Sequence, residues 1–172
     1  MDYFCADTHF SHANILRYCD RPFKDTQEMD NIMLKNLAVL EPTDTLRFIG
    51  DFTMRGEESY KWFSTILSKI PCRKIMILGN HDKLNPFKYI DVGFESVHTS
   101  LVFGKYFLAH DPAWLAAMPK EYVMLCGHVH GLFKTQVDQQ GRLAVNVGVD
   151  VWDFKPVSLE QIEKLIEEKN FT

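Results

Sequence analysis

The chain has 172 residues, of which 46% are hydrophobic and 24% are charged, and its formal net charge is −4. This composition is typical of a soluble globular protein, and we expect one domain over residues 1–172. The negative balance excludes a whole-surface field that would attract duplex DNA or anionic lipid, although a local basic pocket for a phosphate-bearing ligand is still compatible with it. No apolar run approaches membrane-spanning length.

The cysteines and the first residues bear on the cellular compartment. The four cysteines are scattered, and none forms a Cys-x-x-Cys pair. Two of them lie inside apolar segments, so we expect buried free thiols in a reducing environment. The first ten residues contain no basic segment followed by an apolar run, which argues against a signal peptide. These features predict a cytoplasmic protein without a membrane partner.

Five short apolar runs, each ended by a glycine or a polar cluster, predict strands that are buried on both faces. They cover residues 3–6, 46–49, 74–78, 106–109 and 123–126.

Amphipathic patterns between and after these runs predict helices over residues 25–40 and 59–70. A third helix is expected after Ser158, which has Gln161 at the spacing of a capping box. The first half therefore alternates strands and helices, as βαβ units with parallel strands do. The second half is richer in strands, and residues 139–141 predict the turn of a hairpin.

Polar side chains follow the predicted strands at the points where they end. Ligands bind beyond the carboxyl ends of strands in open α/β sheets, so these side chains can converge. Core packing gives no reason for histidines to collect there, and only His98 lies elsewhere, where we expect a surface or structural role. The side chains in question are Asp7, His9, His12, Asp51, Asn80, His81, His110, His128 and His130.

Carboxylate, imidazole and amide oxygen together form the ligand set of a divalent metal such as manganese, iron or zinc. The set is too large for one tetrahedral zinc ion and contains no cysteine, so a structural zinc site fits poorly. Two adjacent metal ions bridged by one carboxylate fit better. We therefore expect two divalent ions, manganese first, with iron, zinc or nickel as alternatives.

The order of these motifs resembles that of the calcineurin-like metallophosphoesterases. The loop at residues 7–15 is similar to that of small bacterial and phage members without assigned substrates. The resemblance implies a four-layer α/β/β/α sandwich, in which two mixed sheets are flanked by helices. The matching motifs are Asp-x-His at 7–9, Gly-Asp at 50–51, Gly-Asn-His-Asp at 79–82, a histidine at 110, Gly-His-x-His at 127–130 and Asn-x-Gly at 146–148.

The resemblance also implies a role for each matching residue. Asp51 would bridge the two ions, and His81 would be a catalytic imidazole without a metal of its own. The implied reaction is hydrolysis of a phosphomonoester or phosphodiester by a hydroxide that bridges the ions, with His81 assisting the leaving group. One ion would be held by Asp7, His9 and His130, and the other by Asn80, His110 and His128.

Three positions leave questions that the resemblance does not answer. Met54 stands where related protein phosphatases carry the Asp that orients the catalytic histidine, so the residue that orients His81 is open. Asp111 stands where a tyrosine is frequent, and we predict that it caps the following turn. Asp82 either accepts backbone N–H groups within its turn or orients a neighbouring basic side chain.

Candidate substrate-binding residues lie in loops beside the predicted site. His12 follows the Asp-x-His motif by three residues and contacts either the substrate or its own loop. Arg55 is a candidate phosphate clamp, and Arg17 and Arg21 are further candidates. We predict that Asp150 is structural.

We expect the substrate to be a small phosphoester, such as a nucleotide, selected by short loops at residues 10–30 and 85–94. Two alternatives are a non-catalytic metal-binding scaffold of the same fold and a nuclease. A scaffold typically lacks metal ligands or the catalytic histidine, whereas here every matching position is filled. A nuclease should show a basic groove, and the charge balance offers none, so strong duplex binding is not expected.

Overall fold

The structure is a computed structural model that describes residues 1–54 and 60–169. Within these residues the chain forms ten strands: β1 (Asp2–Cys5), β2 (Thr45–Ile49), β3 (Arg73–Ile77), β4 (Ser96–His98), β5 (Ser100–Phe103), β6 (Tyr106–Ala109), β7 (Val123–Cys126), β8 (Thr135–Val137), β9 (Leu143–Asn146) and β10 (Val157–Ser158).

The described α-helices are α1 (Ile15–Tyr18), α2 (Thr26–Leu37), α3 (Tyr60–Leu67), α4 (Pro86–Asp91) and α5 (Leu159–Glu168), and short 3₁₀ helices span Pro112–Ala116 and Val149–Val151. Local capping explains where two of them begin. The Asp25 side chain accepts the Glu28 N–H at the start of α2. Ser158 and Gln161 form the predicted capping box of α5, which satisfies N–H groups that the first helical turn leaves free.

The strands form two five-stranded mixed sheets, in the orders β10-β1-β2-β3-β4 and β5-β6-β7-β9-β8. Strands β1 to β4 run parallel, and β10 pairs antiparallel with β1. In the second sheet β6, β7 and β9 run parallel, whereas the edge strands β5 and β8 are antiparallel to their neighbours. The β8–β9 pair is the predicted hairpin.

Alternate strand residues face two different cores, because successive side chains point to opposite faces of a sheet. In β2 and β3, Phe48 and Met76 pack with α2, α3 and α4, whereas Ile49 and Ile77 pack against the second sheet. A third cluster, which includes Leu115 and Met118, covers the outer face of the second sheet. The predicted layered sandwich of two mixed sheets flanked by helices is confirmed.

The register brings the strand ends to a common edge. Phe48 pairs with Cys5 on one side and with Met76 on the other, so β1, β2 and β3 end side by side. An isolated parallel bridge joins Ala6 to Gly148, where the first sheet meets the second. None of the described helices is long and apolar enough to span a membrane.

Candidate metal centre

Backbone hydrogen bonds hold the strand ends together at this common edge. The Asp7 N–H donates to the Gly50 carbonyl at 3.0 Å, and the Gly127 N–H donates to the His110 carbonyl at 3.0 Å. The N–H of Ala6 reaches across to the second sheet and donates to Val147 at 3.1 Å. Residues that lie far apart in sequence therefore meet at one point, as the strand-end motifs predict.

Among the described residues three groups of side chains offer donor atoms within 4.8 Å of one another; one of them, Cys19 with His130 and Asp150, lies behind His130, and the other two meet at this point. Asn80 adds a neutral oxygen to the second group, because its Oδ1 lies 2.9 Å from His128 Nδ1 and 3.2 Å from His110 Nε2. The two groups at this point are Asp7 with His9 and His130, and Asp51 with His110 and His128.

The Asp51 carboxylate belongs to the second group and also lies close to the first. Its Oδ2 is 3.5 Å from Nε2 of His9 in the first group and 3.3 Å from Nε2 of His110 in the second. A carboxylate in this position can face two cations at once. The bridging role of Asp51 itself stays a prediction.

The surroundings of the His9 ring show whether a metal ion fits the first group. The residue is 1% exposed, yet neither of its ring nitrogens makes a hydrogen bond with any residue that the structure describes. Buried polar atoms are normally satisfied, because an unmade hydrogen bond costs about 1–3 kcal/mol. A divalent ion would satisfy His9, and the carboxylate and imidazole donors around it suit such an ion.

The electrostatics of the protein without metal show how strongly these groups interact. Burial disfavours the charge of Asp51, but the His110 side chain outweighs it and lowers the pKa of Asp51 to about 2. Burial likewise opposes protonation of His110, but Asp51 and Asp7 raise its pKa to about 9. Burial lowers the pKa of His9 to about 3, so this imidazole is neutral and ready to bind a cation.

The ligand residues have an unusual backbone conformation. Left-handed φ values are rare outside glycine and cost roughly 1–2 kcal/mol each, and such residues cluster at functional sites. These turns at the strand ends aim consecutive motif residues into the site. The candidate ligands with positive φ are Asp7 (58°), His9 (46°), Asp51 (54°), His128 (72°) and His130 (47°).

Two glycines leave room for the candidate ligands. A Cβ at Gly50 would lie 2.2 Å from His110 Nδ1, and a Cβ at Gly79 would lie 2.2 Å from Asp51 Oδ1. Any side chain at either position would displace a ligand. Glycine is therefore required at both positions, because the candidate ligands lie so close to the backbone there.

Asp82 ties two strand ends to each other. Its Oδ2 accepts the N–H groups of Asp51 at 2.7 Å and Gly79 at 2.8 Å, and its Oδ1 accepts that of Phe52 at 3.1 Å. Burial raises the pKa of Asp82 to about 6, although the three N–H donors oppose this shift. Of the two predicted roles, the structure therefore supports the acceptor of backbone N–H groups.

His81 lies at the mouth of the site, with 38% of its side chain exposed. Its backbone N–H donates to Asp51 Oδ1 at 2.9 Å, and its Nε2 lies 3.9 Å from Asp51 Oδ2. The ring also packs edge-on against His9, with 5.5 Å between centroids. Asp51 and His9 thus both lie against His81, whereas Met54 is exposed.

His12 also lies against His9, at 5.4 Å between ring centroids, and Tyr18 packs edge-on against its other side at 6.3 Å. Burial lowers the pKa of His12, and its Nδ1 is buried without a partner among the described residues. Arg55 lies outside the described residues, so its predicted role as a phosphate clamp stays a prediction.

Arg21 and Asp150 take roles that their sequence context does not reveal. Arg21 is only 4% exposed and forms an ion pair with Asp150 at 2.8 Å, so it is not placed to bind a substrate from solution. Asp150, predicted to be merely structural, lies 2.9 Å from Nδ1 of His130. Arg17, the other candidate, is exposed and donates to the side chain of Asn14.

Asp111 and His98 lie outside the ligand groups. Asp111 caps the 3₁₀ helix at Pro112–Ala116 by accepting the Ala113 N–H at 2.8 Å, as predicted. His98, on β4, is half-buried and contacts the Ser96 hydroxyl at 2.9 Å.

Two mixed sheets with carboxylates and imidazoles at their joined strand ends define a layered α/β protein with a candidate metal centre. A family model of the calcineurin-like phosphoesterases matches residues 3–152. The chain belongs to the calcineurin-like phosphoesterase family, which supports a metal-dependent phosphoesterase.

The relatives extend this similarity over nearly the whole chain. An uncharacterized protein of Methanocaldococcus jannaschii, MJ1445, is 34% identical over 170 residues, which cover 96% of this chain and 90% of that protein. The crystal structure of the Aquifex aeolicus protein of unknown function AQ665 has a TM-score of 0.73 at 28% identity and covers 96% of this chain and 99% of its own. Pseudomonas putida nuclease MPE shares the fold alone, with a TM-score of 0.50 at 17% identity over 83% of this chain and 66% of that one.

Proposed function

We propose that the chain is a dinuclear metal-dependent phosphoesterase that hydrolyses a small phosphomonoester or phosphodiester, such as a nucleotide. The observation that carries the proposal is the position of Asp51 Oδ2, at 3.5 Å from His9 Nε2 and 3.3 Å from His110 Nε2. One ion would be held by Asp7, His9, His130 and Asp51, and the other by Asp51, Asn80, His110 and His128.

Bound divalent ions would supply a hydroxide nucleophile near neutral pH and neutralise charge on the phosphoryl oxygens. Asp51 stays ionised at working pH because its pKa lies at about 2. His81 takes no part in either ligand group and faces solvent, so it can give a proton to the leaving oxygen. His12, which also packs against His9, would hydrogen-bond to the substrate through its ring.

The choice between monoester and diester depends on the loops around the mouth. The predicted specificity segments at residues 10–30 and 85–94 follow β1 and β3, and they are partly helical rather than loops throughout, since they contain α1, the start of α2 and α4. The loop after β1 carries His12, so it contributes both a ligand-bearing segment and a substrate contact. A small or terminal phosphoester fits a half-exposed His81 better than a long duplex does.

A substrate screen tests the proposal. Protein loaded with Mn²⁺ should hydrolyse 4-nitrophenyl phosphate or bis(4-nitrophenyl) phosphate, and EDTA should abolish this activity. Asp111→Asn is the matched control, because it changes a carboxylate next to His110 that caps a turn instead, and it should retain activity. The screen should include nucleotides and oligonucleotides, which address the nuclease alternative. A protein that binds metal but turns over no ester would be the scaffold instead.

A further inference from the structure

A buried ion pair contacts one ring nitrogen of His130. Nδ1 of His130 lies 2.9 Å from Oδ2 of Asp150, and Arg21 forms two hydrogen bonds of 2.8 Å with the same carboxylate, from Nε and Nη2. An ionised carboxylate can only accept hydrogen bonds. Nδ1 of His130 therefore carries the proton, which leaves Nε2 as the nitrogen that can bind a cation.

The same guanidinium also holds the first strand end. Nη2 of Arg21 donates to the Asp7 carbonyl at 2.6 Å, and Nη1 donates to the Thr8 carbonyl at 3.1 Å. The side chain of Arg21 in this ion pair is 0% exposed. One buried cation thus links the backbone that carries Asp7 and His9 to the carboxylate that orients His130.

We propose that Asp150, fixed by Arg21, is a positioning residue for the metal ion of the first group, Asp7, His9 and His130. It selects the tautomer of His130 and holds its ring so that Nε2 faces the ion. Carboxylates behind metal-binding histidines act in this way and typically contribute 10- to 100-fold to metal affinity. The inference rests on the proposed function, since it presupposes that this group binds metal.

The second group has a different support. Nδ1 of His110 lies 2.8 Å from the Ile49 carbonyl, a neutral acceptor, and no described carboxylate stands behind it in the place that Asp150 takes behind His130. Among the described residues, a charged support of this kind therefore stands behind His130 and not behind His110. Loss of Asp150 should weaken one of the two metal sites and leave the other unchanged.

A titration with Mn²⁺ tests this selectivity without any substrate. Electron paramagnetic resonance measures the concentration of free Mn²⁺ at each step. The wild type should bind two ions. Asp150→Asn should bind one ion as before and the other about 10- to 100-fold more weakly. Asp111→Asn, a carboxylate next to a ligand of the second group, is the control and should leave both affinities unchanged.

The position of the proton on the His130 ring distinguishes a positioning role of Asp150 from a general effect on the stability of the fold. In metal-free wild type, at a pH at which the His130 ring is neutral, long-range ¹H–¹⁵N spectra should show its proton on Nδ1, and in Asp150→Asn the two tautomers should be mixed. Since Asp150→Asn leaves Arg21 as an unpaired buried charge, the double variant Arg21→Gln/Asp150→Asn removes both charges and guards against misfolding. It should show the same selective loss of Mn²⁺ affinity.

The outcomes distinguish this inference from the proposed function. Folded variants that bind two Mn²⁺ ions with wild-type affinities would overturn the role of Asp150 while the proposed function stands. A wild type that binds no Mn²⁺ would overturn both.

Discussion

The carboxylate of Asp51 contacts His81 at two points: Oδ1 accepts the His81 backbone N–H at 2.9 Å, and Oδ2 lies 3.9 Å from the ring Nε2. Asp51, a member of one ligand group that also lies close to the other, therefore also holds the backbone of His81. Asp51 thus lies beside His81, whereas Met54, at the position of the orienting Asp of related phosphatases, is exposed.

Replacing His81 by Ala should reduce hydrolysis most for esters with poor leaving groups. General acid catalysis contributes about 10²- to 10⁴-fold, and a leaving group that is already a weak base, such as nitrophenolate, needs little of it. The measurement is kcat/KM for a series of aryl and alkyl phosphoesters. Equal losses across the series would contradict the role of His81 as an acid.

His98→Ala is the matched control for that series. His98 is half-buried on β4 and contacts Ser96 rather than any candidate ligand. Its loss should leave kcat/KM unchanged for every ester.

Asp51→Asn should reduce the binding of both metal ions, because the variant removes the charge that faces both ligand groups. We expect at least about a 10-fold loss of Mn²⁺ affinity, since even residues behind the ligands contribute that much. Metal analysis after dialysis measures the occupancy, with Asp138→Asn, whose carboxylate pairs with Arg142, as control. Full occupancy in Asp51→Asn would exclude the bridging role.

Asp82→Asn should destabilise the fold even without metal. The buried carboxylate accepts three backbone N–H groups, and the amide NH₂ of Asn would face at least one of these donors. We expect a loss of about 2–4 kcal/mol in the free energy of unfolding, measured with urea. The exposed Asp91→Asn should change it by less than about 0.5 kcal/mol. A small effect of Asp82→Asn would show that the clamp is dispensable.

Metal binding should release a proton from His110. Burial opposes protonation, but Asp51 raises the His110 pKa to about 9, so the imidazole is charged in the metal-free protein at pH 7.5. A metal ligand must be neutral, so apparent Mn²⁺ affinity should rise about tenfold per pH unit up to about pH 9 and then level off. Calorimetry in two buffers of different ionisation enthalpy measures the release. Identical heats in both buffers would contradict it.

The sequence predicted what is local, namely the strands and the polar residues at their ends. Asp51 directly follows a buried strand and a glycine, and His128 follows another, so parallel strands bring such residues to one edge. The caps were equally readable, because Ser158 and Gln161 lie three residues apart.

The parts that the sequence did not predict depend on contacts between distant segments. Arg21 and Asp150 are 129 residues apart, and neither lies in a pattern that signals its partner. The sequence left two roles open for Asp82, because the N–H groups that it accepts include those of residues just after β2. Their distance from Asp82 depends on the register between β2 and β3, which the sequence does not show. The backbone hydrogen bond from His81 to Asp51 likewise joins two strand ends.

The most direct measurement of the central claim is an anomalous difference map from crystals soaked in Mn²⁺. The account predicts two peaks about 3.5–4 Å apart, as in other two-metal sites, with the Asp51 carboxylate between them. His9 and His130 should contact one peak, and His110 and His128 the other. A single peak, or manganese bound away from Asp51, would contradict the dinuclear centre.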